Sequence, residues 1–354
     1  MNSLLESSVR KILRAGPAKG PACRVSLRTA FLRGSAICAL AIASGSLAPA
    51  ASAEESAVQA GESDVLLQAH PGWVHVPGAV IRPECVHEIP SGATVEENGD
   101  ITVDGRVIAH YEACPEAPVK TRMRQASSDA VPGPIGNGWV EDIEMTVALA
   151  KGDSIDRIEG KWTVPAAPLS KGGVVFIFNG IEPSAGNIIL QPVLQYGAAG
   201  GSSVEGPLGG NYWLIAGWMV GKNAYHSPGV KVSAGDVIYG NTYVKSETGG
   251  KLSWNSLAKD ETSGKYSQLG VSSSGIQWDW AFEGVLEAYN ISSCSELPVT
   301  THDEFTGNGV YHGYPKFEAL ADKWHGVFDN YFGHGGPACG YRQIVDGDVG
   351  FLYW

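Results

Sequence analysis

The chain has 354 residues with 25 Lys+Arg against 37 Asp+Glu, a formal net charge of −12, and it carries 46 glycines and 20 prolines. Beyond a basic N-terminal leader no Lys/Arg cluster is left to track a phosphate backbone, so nucleic acid is disfavoured as a partner. No apolar stretch is long enough to cross a bilayer stably, so a membrane partner is not expected, and abundant turn formers with few helical periods point to an all-β protein.

The first 53 residues read as a secretory signal rather than as fold. Seven basic residues, Arg10 to Arg33, precede the short apolar run Ala36-Ile-Cys-Ala-Leu-Ala-Ile-Ala43 and the small-residue site Ala51-Ser-Ala53. A retained N-terminal membrane anchor is the competing reading. Removing this leader leaves 18 basic against 36 acidic residues, a net charge of −18. The expected product is secreted, extracellular or periplasmic according to the host envelope, and monomeric. Its acidity also suits work at low pH, where carboxylates are neutralised.

Four cysteines survive the leader: Cys85, Cys114, Cys294 and Cys339. An even number in an exported chain suggests two disulfides, and the long gap between the pairs favours local bridges, Cys85–Cys114 and Cys294–Cys339, among three possible pairings. No Cys-x-x-Cys or His-Glu-x-x-His spacing occurs, so neither a metal nor another cofactor is expected, and His334 near Cys339 reads as a loop residue.

Residues 54–134 form an N-terminal segment of short strands, Trp73–Val76, Ala79–Ile81 and Ile101–Val103, the last turning through Asp104-Gly105 into Arg106–Ala109. A polar linker, Lys120 to Pro134, follows, with Arg122 and Arg124 as convenient cleavage points. The segment is therefore expected to be a propeptide, or else a permanent small subdomain. From 135 to 300 the texture is dense in strands: Trp139–Ala148, Ile158–Pro165, Val174–Asn179, Asn187–Tyr196, Tyr212–Val220, Gly229–Ser233, Asp236–Val244, Lys251–Leu257, Lys265–Leu269 and Trp278–Tyr289. Alternating faces and short turns indicate two packed antiparallel sheets, a β-sandwich. In the extension 301–354, apolar residues at three- and four-residue spacings after Pro315 predict a short C-terminal helix over Lys316–Phe332, stopped by Gly333, before a strand at Val349–Tyr353.

Two of these stretches carry candidate chemistry. In Asn187–Tyr196, regular alternation puts Gln191 and Gln195 with Ile189 and Val193 on one face, opposite Leu190 and Leu194. In Trp278–Tyr289 the same rule puts Trp278, Trp280, Phe282 and Leu286 on one face, and Asp279, Glu283 and Glu287 on the other with Ala281 and Val285. A carboxylate can take a proton from water and return it to a leaving amine. A neutral amide can stabilise the oxyanion of a tetrahedral intermediate, and removing one such donor in other hydrolases costs about 3–4 kcal/mol.

The order Lys161-Trp-Thr-Val-Pro165, Phe178-Asn-Gly-Ile-Glu182, Ile189-Leu-Gln191, Gly235-Asp236 and Glu283-Gly-Val-Leu-Glu287 resembles the glutamic peptidases called eqolisins. Their matching motifs read roughly Trp-Thr-Val-Pro, Trp-Val-Gly-Ile-Asp, Ile-Leu-Gln, Gly-Asp and Glu-Trp-Ile-Val-Glu. The resemblance implies a concanavalin A-like sandwich of jelly-roll type that cuts peptide bonds in acid, with protein or peptide as substrate. It implies Gln191 and Glu283 as the catalytic pair, with Glu287 in the acid/base role if the last motif is out of step. Phe178, Glu182, Gln195, Trp218 and Glu287 fall at the substrate. This chain departs from the pattern in having Phe178 for tryptophan, Glu182 for aspartate, Gln195 where a carboxylate often stands, and Gly217 where glutamate is common.

Other chemistries find less in the sequence. There is no Gly-x-Ser-x-Gly elbow, and no single cysteine is left over for thiol chemistry. Asp279 with Glu283, or Glu283 with Glu287, could form the carboxylate pair of a glycosidase on the same scaffold. Trp213, Trp218 and Trp254 read as core or groove-wall residues, and a tryptophan-lined groove would suit sugar rings or a peptide equally; a lectin-like binding module would need no chemistry at all. Asn290-Ile-Ser292 is a glycosylation sequon.

Overall fold

A computed structural model describes residues 67, 69–121, 138–147, 149, 150, 152–199, 208–291, 293–300, 302–321, 323–328, 339, 341–346 and 349–354. The expected signal (1–53), the linker beyond Thr121, and His334 lie outside these residues. The N-terminal segment forms β1 (Val74–Val76), β2 (Ala79–Ile81), β3 (Val86–Glu88), β4 (Thr94–Val95), β5 (Asp100–Val103), β6 (Arg106–His110) and β7 (Val119–Lys120). The central region forms β8 (Gly138–Thr146), β9 (Ile155–Thr163), β10 (Val174–Glu182), β11 (Ile189–Ala199), β12 (Leu208–Val220), β13 (Ala224–His226) and β14 (Val230–Lys231). It continues with β15 (Val237–Thr248), β16 (Lys251–Asp260), β17 (Tyr266–Ser274) and β18 (Trp280–Tyr289). The C-terminal extension adds β19 (His302–His312), β20 (Glu318–Ala319), β21 (His325–Phe328), β22 (Arg342–Asp346) and β23 (Val349–Tyr353).

Two large sheets pack face to face. The first has the order β21-β8-β18-β10-β11-β12-β13-β3, with β14 also on β12; the second has the order β22-β23-β19-β9-β15-β16-β17-β4-β5-β6, with β20 on β19. The core between them is filled from both sides, by Ile177, Leu190, Leu194, Ile215 and Leu286 of the first sheet and Trp162, Ile238, Trp254, Leu269 and Phe305 of the second. This is the expected β-sandwich, and its pairings are antiparallel except β3 on β13 and β4 on β17.

A second apolar cluster covers the outer face of the first sheet. There Val76, Ala79, Ile81, Cys85 and Val86 of the N-terminal segment pack on Trp139, Phe176, Phe178, Val193, Trp218, Phe282, Val285 and Tyr289. Burying each large apolar side chain contributes about 1.5–3 kcal/mol, so the segment is held down firmly. It is also stitched into both sheets through β3 and β4, and the Cys85–Cys114 disulfide closes it on itself. Both expected disulfides are present, the second joining Cys294 to Cys339.

The C-terminal helix expected over Lys316–Phe332 is a correction. Its described residues instead give β20, paired with β19, and β21, paired with the edge of β8. Phe317 has φ +53°, outside the helical region. A helix of this length depends on tertiary packing, whereas sheet edges here offer a row of unpaired backbone groups, and the edges win.

Candidate functional site

Gln191 sits where strand alternation puts it. Its neighbours Leu190 and Leu194 enter the core between the sheets, whereas Ile189 and Val193 join the outer cluster. Gln191 is fully buried on that outer face, in register with Trp218 of β12. Its Nε2 donates to the carbonyl oxygen of Pro77 at 2.8 Å.

On β18 the alternation breaks. Across the β10–β18 ladder Phe178 pairs with Val285 but Gly180 pairs with Phe282, so β18 carries one extra residue between Phe282 and Val285. Such a bulge flips the parity of everything beyond it. Trp280 and Phe282 before it, and Val285 and Tyr289 after it, all lie in the outer cluster, while Ala281, Leu286 and Ala288 lie in the inter-sheet core. The expectation that Leu286 shares a face with Trp280 and Phe282 is thereby corrected.

The bulge also separates the two glutamates. Glu283 points into the sandwich, where its Oε1 accepts from Asn308 Nδ2 of β19. Gly350 of β23 is so near that a methyl group added there would stand 2.5 Å from the Glu283 carboxylate. Glu287 faces the opposite way, with Gln191. The pairing of Gln191 with Glu283 is therefore corrected: the structure brings Gln191 to Glu287. For the same reason Glu283 and Glu287 do not share one cleft as a glycosidase pair, and Asp279 is occupied in capping Ser184 through its backbone N–H and hydroxyl.

Gln191 and Glu287 meet across one peptide group. Between β1 and β2 the chain turns at Pro77-Gly78, with Gly78 at φ +87°, a left-handed conformation that suits glycine after proline in a tight turn. Gln191 donates to the carbonyl oxygen of the Pro77–Gly78 peptide, and the N–H of the same peptide donates to Glu287 Oε1 and Oε2 at 3.0 and 2.7 Å. Thr121 Oγ1 donates to Glu287 Oε1 at 2.8 Å, and the Tyr289 hydroxyl donates to the same oxygen. The His75 ring stacks on Tyr289, with centroids 3.8 Å apart.

Burial dominates the electrostatics of this carboxyl. Desolvation pushes Glu287 up from the usual carboxylate range to about 7, against the downward pull of Tyr289, Thr121, the Gly78 N–H and Lys120. In the covered site Glu287 thus keeps its proton through the acid range.

The remaining predicted residues divide into floor, scaffold and rim. Phe178 and Trp218 are fully buried beneath the N-terminal segment, Phe178 edge-on to Trp139 and Trp218 beside His226. Gln195 Nε2 is committed to the backbone oxygens of Gly197 and Leu208, so it braces the end of the β11–β12 hairpin. Trp213 and Trp254 are core residues. Gly217 backs onto the second sheet, where a methyl group would stand 2.5 Å from Ser256 O, so glutamate has no room there. Glu182, at the end of β10, pairs with Lys120 at 3.3 Å on the rim. Among the described residues no group of three or more His, Cys, Asp and Glu side chains is placed to hold a metal ion, and no helix is long and apolar enough to cross a membrane.

Sequence reasoning did not single out Tyr289, Thr121 or the Pro77-Gly78 turn. Tyr289 carries a readable signal, since it lies two residues beyond Glu287 and so shares its face. Thr121 and Pro77-Gly78 come from a distant part of the chain and carry none.

No protein-family model matches the chain, and no curated protein matches it. Among solved structures it is similar to scytalido-glutamic peptidase bound to a transition state analog inhibitor, at 14% identity over 62% of this chain and 99% of that one, with a TM-score of 0.42. It is similar to SCP-B, a member of the eqolisin family of peptidases in a complex with the tripeptide Ala-Ile-His, at 14% identity over 62% and 99% of the two chains and a TM-score of 0.39. A tailspike protein 2 domain of bacteriophage CBA120 matches at 12% identity over 52% of this chain and 30% of that one, with a TM-score of 0.23. These likenesses are distant, and none assigns an activity.

Proposed function

We propose that this protein hydrolyses peptide bonds with Gln191 and Glu287, and that it is made as a proenzyme whose N-terminal segment covers the site. The observation that carries the reading is the clasp on the Pro77–Gly78 peptide: one neutral amide on the carbonyl oxygen and one carboxyl on the amide nitrogen. Those are the two atoms whose charge and protonation change when a peptide bond breaks.

In the open site, Glu287 takes a proton from water as the water oxygen attacks the scissile carbonyl carbon. Gln191 Nε2–H stabilises the oxyanion that forms, without adding positive charge. The C–N bond then breaks, and Glu287 returns the proton to the departing nitrogen. The covered site is silent on two counts. Glu287 is protonated there below about pH 7, so it has no base to offer in acid, and its oxygens already accept from Gly78, Thr121 and Tyr289. Uncovering lets water reach the carboxyl and draws its pKa back toward the ordinary range, near 4.

The test is digestion of an unfolded protein at about pH 3–4, with loss of the N-terminal segment followed by mass. Wild type is expected to cleave after the segment is lost, Glu287→Gln not at all, and Gln191→Ala about 10²–10³-fold more slowly. Equal cleavage by wild type and Glu287→Gln rejects the assignment.

A further inference from the structure

Gln191 stands in a row that runs outward across the first sheet: it is in register with Trp218 of β12, Trp218 with His226 of β13, and His226 with Glu88 of β3. The last step of that row, β13 to β3, is where the covering segment joins the sheet, and without β3 the strand β13 would be its edge. A histidine thus sits on the seam. Only 2% of it is exposed, and its ring lies against Trp218 with centroids 4.7 Å apart.

The two ring nitrogens differ. Nδ1 donates to the carbonyl oxygen of Ser227 at 3.0 Å, which leaves the lone pair, and hence the place for a second proton, on Nε2. Nε2 is buried and has no hydrogen-bond partner among the described residues. A proton added there creates a charged donor with nothing to receive it, and burying a charge without a partner is costly. The charged and titratable groups that face the ring both come from β3. Glu88 Oε2 stands 3.9 Å from Nδ1, the nitrogen already committed, and His87 adds to the positive charge once it is protonated. His87 is itself enclosed by Tyr111, stacked at 3.8 Å, and by Tyr225 at 5.4 Å.

Resting on the proenzyme reading above, we propose that His226 is an acid-sensitive lock on the covering segment: protonation of Nε2 loosens β3 from β13, water reaches the ring, and the cover begins to lift from the row that holds Gln191.

The direction follows from burial. Desolvation pulls both His226 and His87 down from 6.5 to about 4. Above pH 6.5 neither the closed nor the open form binds the proton; between 6.5 and about 4 the open form binds it first, so closure weakens as pH falls through that window. Glu287 pulls the other way, because its raised carboxyl holds a proton in the closed site. The burial that shifts His226 is supplied in part by β3 itself, and this is what couples the proton to the cover.

The test uses the full chain carrying Glu287→Gln, which removes both the opposing carboxyl and the proposed base, so opening is read apart from activity. The reporter is the Ile89 N–H, which donates to His226 O at 2.9 Å across the seam. Its hydrogen exchange, corrected for the intrinsic rate, is expected to lose about 10²-fold in protection from pH 7 to pH 4. Adding His226→Asn keeps a donor for Ser227 O but takes no proton, so most of that loss should vanish while protection at pH 7 stays within a few-fold. Equal pH dependence in the two proteins overturns the inference. So does a loss of protection in His226→Asn that is the same at every pH, which marks a merely structural residue.

A second readout is the titration of the His226 ring by NMR. It is expected to lie well below 6.5 in the closed chain, and titration near 6.5 with Ile89 still protected removes the lock. A chain that opens in this way but cuts no peptide in any form would lose the peptidase reading and keep the lock.

Discussion

Glu287→Gln is expected to make the closed chain more stable at neutral and alkaline pH while abolishing cleavage. Burial raises the Glu287 carboxyl from 4.5 to about 7 in the folded chain. Between those values the unfolded chain has released the proton that the folded chain still holds, so the folded state binds more protons and loses stability as pH rises through the window. A shift of two and a half pH units corresponds to about 3 kcal/mol. That contribution is present in full below pH 4.5 and gone above about pH 7. Glutamine cannot ionise and escapes the loss, yet its amide oxygen can still accept from Gly78 N–H. Urea denaturation followed by tryptophan fluorescence at pH 4, 6 and 8 would read the difference. Wild type and variant should nearly coincide at pH 4 and diverge to about 3 kcal/mol in the variant's favour at pH 8. Other titrating groups act in both proteins and cancel. A difference that does not change with pH, or a variant weakened most at pH 8, refutes the reasoning, because the donors around Glu287 would then outweigh its burial.

Three further outcomes are expected. Glu283→Gln should cleave within a few-fold of wild type in the same digestion, because that side chain faces Asn308 inside the sandwich; complete loss of cleavage would return the base to Glu283. Replacing Cys85 and Cys114 together by serine opens a loop with a sequence separation of 29. It should lower stability by about 3–4 kcal/mol in urea and shorten the lag before the segment is shed, whereas an unchanged lag would show that the disulfide does not hold the cover. Asp303, raised to about 8 by burial despite bonds from the Thr163 and Glu304 backbone, contributes a fall in stability as pH rises toward 8. Asp303→Asn should flatten that part of the profile, and an unaltered slope would show that this carboxyl is hydrated.

Much of the fold is legible in the chain because a strand's period of two is a local property. Leu190 and Leu194 against Ile189, Gln191 and Val193 are correctly sorted by alternation alone. The Asp104-Gly105 turn takes positive φ at both residues, 49° and 74°, as its composition requires of a tight hairpin. The two disulfides follow from cysteine number and separation. The C-terminal extension misleads because Phe317, Leu320 and Trp324 fit a helical period while the choice of strand rests on a free edge of β8 supplied from far away.

The site divides along the same line. Sequence determined that an amide at 191 and carboxylates at 283 and 287 stand on two apolar strands, since residue type and spacing are all that statement needs; that only β10 separates those strands is a fact of the sheet. Tertiary structure decided which carboxylate the amide meets: one extra residue opposite Phe178 and Gly180 turns Glu283 inward and Glu287 outward, and a bulge is defined by the partner strand rather than by the strand that carries it. It also decided what lies between them, because Pro77-Gly78 reaches Gln191 and Glu287 only when the N-terminal segment is laid over the sheet, a contact across more than 100 positions that no local pattern encodes.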